Sequence, residues 1–108
     1  MRISADFTET YKMLNDVQRH EFPFATSKAI NHLMNLYNQG QLVAVVEQTQ
    51  ALTEQYPEGF VIWNILGAAN KGLGRVQAAS EAFKKVTELN PTYADGFNNL
   101  GLTLQDQG

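Results

Sequence analysis

The chain repeats itself with a period of 34 residues: Gly40, Gly74 and Gly108 share that spacing, and so do Pro23, Pro57 and Pro91. The same offset pairs Asn64 with Asn98, Leu66 with Leu100, Gly67 with Gly101, and Trp63 with Phe97. So many matched residue types at one offset imply a single structural unit used repeatedly, each copy burying its apolar face against the next. A chain of 108 residues holds one continuous core of such units, not two independent domains.

Each period parses into two helices. Trp63, Leu66, Gly67 and Asn70 fall at the spacing of one helical face, Asn70 being its polar member. A break is expected at Gly72 and Gly74, where glycine takes the positive φ of a helix end without steric cost. Val76, Ala79, Phe83 and Val86 mark the inner face of a second helix, which stops at Asn90 because Pro91 does not continue a helix. The unit is a helical hairpin with about a dozen residues per arm. Gly67 and Ala79 let the arms approach closely while Trp63 and Phe83 fill the wider spaces, so Gly67→Leu overpacks the crossing at a cost of about 1–3 kcal/mol.

Trp63-x2-Leu66-Gly67-x2-Asn70, Ala79-x3-Phe83 and Pro91 together resemble the tetratricopeptide repeat family, whose pattern is W-x2-L-G-x2-Y, A-x3-F, P. Asn70 departs from the family's tyrosine. The resemblance implies an all-α fold of antiparallel helical hairpins stacked as a right-handed superhelix. One full repeat then spans 60–93. A degenerate repeat at 26–59 has Leu33 in place of the glycine and Thr49 in place of the phenylalanine, with Ser27 a candidate helix cap. Residues 94–108 give the first helix of a further repeat, through Phe97, Leu100, Gly101 and Leu104, and suggest an array continuing in a larger protein. In residues 1–25, Phe7, Tyr11, Leu14 and Val17 share a helical face. That segment reads as an N-terminal capping helix or degenerate half repeat, with a mobile tail or a helix folded into the groove as alternatives.

No chemistry-bearing constellation accompanies the repeats. His20 and His32 belong to no metal or catalytic motif, and His32, at the position of Leu66 and Leu100, reads as a partly buried histidine near the core. Asp6, Glu9, Asp16, Glu81 and Glu88 read as solvated faces, and Met13 as core. No cofactor, metal or catalytic activity is expected. The net charge of −3, without a basic stripe, argues against nucleic acid as partner. The absence of cysteine excludes disulfide and thiolate chemistry. Met1 to Phe7 show neither a signal peptide's nor a membrane span's apolar run, so a cytoplasmic protein without a membrane partner is expected.

In the family, a concave surface lined by the first helix of each repeat holds a protein or peptide. Carried over by position, that surface takes Ser27, Ile30, Asn31, Met34 and Tyr37 from the first unit. It takes Val61, Asn64, Ile65, Ala68 and Lys71 from the second, and Asp95, Asn98, Asn99, Leu102 and Gln105 from the third. Lys71 is the lone cation in this set, so the basic clamp of chaperone-binding relatives is missing. Asn31, Asn64, Asn98 and Asn99 offer amide donors and acceptors suited to the backbone of an extended peptide. Asn99-Leu100-Gly101 also resembles the repeats of O-linked N-acetylglucosamine transferases, with Asn31 on the same rung and Ile65 interrupting the ladder. The expected function is a protein-interaction module in a larger protein, for which the resemblance implies a transferase domain after Gly108; the alternative is self-assembly through Phe97, Leu100 and Leu104.

Overall fold

The turns follow from the glycines. At Gly40 and Gly74 φ is 78°, the left-handed region that costs other residues about 1–2 kcal/mol. The Gly74 N–H donates to the Lys71 carbonyl at 3.0 Å and the Arg75 N–H to that of Asn70 at 2.9 Å. One period earlier, Gly40 N–H donates to Tyr37 and Gln41 N–H to Leu36, each at 3.0 Å. This pair of bonds is the Schellman arrangement, which satisfies the carbonyls left open at a helix end. It needs a single left-handed residue; Gly72, expected to share that role, is the last helical residue instead.

The structure, a computed structural model, describes residues 27–107; the helix expected from Phe7, Tyr11, Leu14 and Val17 lies outside them. The described helices are α1 (Ser27–Asn38), α2 (Leu42–Gln55), α3 (Phe60–Gly72), α4 (Val76–Leu89) and α5 (Ala94–Asp106). No strand occurs among the described residues. α1 begins at Ser27, whose side chain is outside the described part, and with it the expected cap.

The second helix of each unit ends ahead of a proline. Tyr56 N–H still reaches the Leu52 carbonyl at 2.8 Å, and Asn90 N–H that of Val86 at 2.9 Å, after which Pro57 and Pro91 stop the ladder. Trp63, in the first turn of α3, donates its indole N–H to the Pro57 carbonyl at 2.9 Å and fixes the angle at which the next unit begins.

Each helix packs principally against the helices before and after it, giving stacked antiparallel hairpins. Ile30, Leu33, Val45, Ile62 and Ile65 form the centre of the core, all without exposed surface. Between α3 and α4 the approach is close at Gly67, where a Cβ would stand 2.7 Å from Phe83 Cε1. Leu33 and Thr49, at the matching places of the first unit, are both fully buried. The large side chain has moved to the first helix and the small one to the second, which conserves volume and makes the substitution tolerable. The Thr49 hydroxyl donates to the Val45 carbonyl at 2.7 Å, so its burial leaves no polar group unmet.

α4 and α5 use a different small residue: a Cβ on Gly96 would lie 2.8 Å from Val86 Cγ1. Phe60 and Tyr93 bridge the second and third units with ring centroids 5.6 Å apart, inclined at 58°. His32 is exposed, not partly buried as its match to Leu66 suggested.

Candidate peptide-binding groove

The C-terminal half of α3 carries Ala68, Lys71 and Gly72 on consecutive turns, with little side-chain bulk at two of the three. Across this small-residue floor, Tyr37 approaches from the end of α1, Asn99 from the middle of α5, and Phe83 from α4 behind. Together with Asn64 they enclose a cavity of about 270 Å³. Five residues assigned to the concave surface by sequence therefore converge on one depression: Tyr37, Asn64, Ala68, Lys71 and Asn99. Phe83 and Gly72 were not anticipated as lining residues. Their signal lies in the composition of α3, where Gly67 admits the ring and Gly72 adds no side chain.

The asparagines divide into two kinds. Asn64 is 1% exposed and Asn99 5%, and the Asn99 Nδ2 donates to the Asn64 Oδ1 at 3.3 Å. This bond runs between first helices of successive units, so it fastens one repeat to the next while forming part of the cavity wall. Asn31 and Asn98 are exposed and lie outside the cavity lining. Gln105 is exposed, Asp95 half-buried and Leu102 exposed, all on α5 and also outside the lining.

Met34 is a correction. Expected on the concave surface, it is 1% exposed and sits in one buried cluster with Ile30, Val61 and Ile65, which also keep almost no exposed surface. Apolar side chains on facing sides of successive first helices bury each other, and only the polar and small positions of that face remain open to solvent.

The site's electrostatics are simple. Among the described residues Lys71 is the one charged residue lining the cavity, placed in the last turn of α3, where a cation also complements the helix dipole. Among the described residues no cluster of three or more His, Cys, Asp or Glu residues could hold a metal ion, and no helix is long and apolar enough to cross a membrane. A cavity of about 270 Å³ falls below the 300–1,000 Å³ typical of small-molecule and cofactor sites and fits one large side chain.

A family model described as TPR repeat matches residues 67–108, covering the C-terminal half of α3 with α4 and α5. No curated protein matches the chain. Stacked hairpins, Schellman ends at one period and this match agree: residues 67–108 are similar to tetratricopeptide repeats, which generally mediate contacts between proteins.

Proposed function

We propose that the chain binds an extended segment of a protein partner along the face of α1, α3 and α5. One apolar side chain of that segment enters the cavity between Tyr37, Ala68 and Phe83. The observation that carries this reading is the convergence of five sequence-assigned surface positions on that single cavity. The exposed amides of Asn31 and Asn98 flank the path and suit peptide backbone, which offers donors and acceptors in alternation. Asn64 and Asn99 serve the groove indirectly, by holding its wall. Lys71 at the rim favours an acidic residue beside the apolar one. A module of this kind turns over no substrate.

Binding to an array of short synthetic peptides tests the proposal. Lys71→Glu and Asn98→Ala, both at positions with exposed surface, are expected to weaken bound peptides with little change in folding. Peptides that bind both variants as well as the parent chain would overturn the groove assignment.

A further inference from the structure

We infer that residues 1–26 lie across the groove over Met34 and Val61, covering it on the α1 side and at the beginning of α3 and leaving the end at Ala68, Lys71 and Gly72 open. The inference rests on the reading of this face as the partner's groove and names what competes for it. Val61 stands seven residues before Ala68 and eleven before Gly72, a spacing that at about 100° per residue places all three on one line along α3. That line runs along the middle of the concave face, since Ala68 and Gly72 form the floor of the cavity. Its exposure is graded: Val61 is 1% exposed, Ala68 half-buried and Gly72 exposed. On α1 the matching positions are Met34, 1% exposed, and Asn38, which is exposed. On α5, Leu102 and Asp106 are both exposed.

Packing of first helices side by side buries their flanks, not the middle of the face they share. α3 has a first helix on either side, and Ala68 and Gly72 keep exposed surface between them while Val61 does not. The burial of Val61 and Met34 therefore needs a cover over the face. It arises within a single chain whose helices α1 to α5 follow one another through the stack, so the cover comes from residues ahead of Ser27. Tyr37, Asn64 and Asp95, assigned to the same face, each engage a further polar, ionic or ring partner besides those described. Residues 1–26 suit the place. Phe7, Tyr11, Leu14 and Val17 share a helical face by spacing, and a helix from Phe7 to Val17 is about 16 Å long, enough to cross two first helices packed about 8–10 Å apart. The segment joins α1 directly, and Met34 lies two turns into that helix, so the chain reaches the face without a long excursion. A partner's segment that follows the whole face has to displace residues 1–26, which lowers its apparent affinity, whereas the cavity end is reached without doing so.

The chain holds no cysteine, so one engineered thiol reports on one place. In the full chain, Val61→Cys is expected to react with a water-soluble maleimide at least about tenfold more slowly than Ala68→Cys. Adding Phe7→Glu and Tyr11→Glu is expected to raise the Val61→Cys rate at least about tenfold. The same pair is expected to leave Val86→Cys, buried against Gly96 of α5, unchanged. Without an engineered thiol, the Phe7→Glu, Tyr11→Glu variant is expected to bind array peptides at least about threefold more tightly than the parent. Circular dichroism establishes that each variant is helical, and Tyr11→Glu alone is read in the same way if the double variant is not. A Val61→Cys thiol as reactive as Ala68→Cys in the parent, one indifferent to the substitutions, or one that rises together with Val86→Cys would overturn the inference, as would an unchanged affinity for peptides that do bind. The thiol rates stand apart from peptide binding: if they change as expected while no peptide binds, the cover is established and the proposed function fails.

Discussion

The Phe83 ring occupies the space that a side chain on Gly67 would need: a Cβ there would lie 2.7 Å from Cε1 and 2.8 Å from Cδ1. Phe83 is almost wholly buried, so a shift of the ring disturbs the packing around it. Ordinarily Gly→Ala inside a helix gains about 1 kcal/mol from propensity. Here Gly67→Ala is expected to lose about 1–3 kcal/mol net through overpacking. Gly101→Ala, its counterpart one period on with no atom within 4 Å, is expected to gain about 0.5–1 kcal/mol. Opposite shifts in the denaturant midpoint check the pair; shifts of the same sign would contradict the packing described.

Gly74 isolates a different cost. A Cβ there would also meet nothing within 4 Å, so any penalty comes from the backbone angle of 78° alone. Gly74→Ala is expected to lower stability by about 1 kcal/mol and Gly74→Asn by less, since asparagine tolerates the left-handed region better. Thermal melts of the two variants, compared at one protein concentration, measure the difference.

Leu33 and Thr49 are expected to behave as a coupled pair. Thr49→Phe alone overpacks a fully buried site, and Leu33→Gly alone opens a cavity and weakens a helix. The double variant restores the glycine and phenylalanine arrangement of the next unit. It is expected to be more stable than the sum of the single effects by about 0.5–3 kcal/mol. Additive losses would show that the two positions do not share one space.

The neighbouring asparagines of α5 are expected to separate cleanly. Asn99→Ala deprives the buried Asn64 Oδ1 of a donor and costs about 1–3 kcal/mol, toward the lower end given the 3.3 Å separation. Asn98→Ala, at an exposed position, is expected to stay within about 0.5 kcal/mol of the parent. Chemical denaturation of both resolves this, and Asn98→Ala then serves as a clean probe of binding.

The hairpins were legible because their determinants are local. Gly40 and Gly74 announce the left-handed helix ends, Pro57 and Pro91 the stops, and Gly67 with Phe83 the crossing, each within a single period. What the sequence concealed depends on contacts between periods. Asn64 and Asn99 read from spacing as amides facing a bound peptide, yet they bond to each other across successive units. Met34 falls at a concave position by count, but lies in the buried cluster that includes Val61 and Ile65. Gly96 belongs to no matched offset, and its approach to Val86 becomes evident only when α4 and α5 are packed. The candidate groove followed the same rule: its place could be read from the helix count, while the depth of each side chain required the stack.

Nuclear magnetic resonance mapping of a bound peptide from the array tests the central claim most directly. Titration into isotope-labelled chain is expected to shift the amides of Ala68, Lys71 and Gly72 on α3 first, with Tyr37 and Asn98 following on the neighbouring first helices. Shifts confined to the outward faces of α2 and α4, around Glu47 and Glu81, with α3 unmoved, would contradict it.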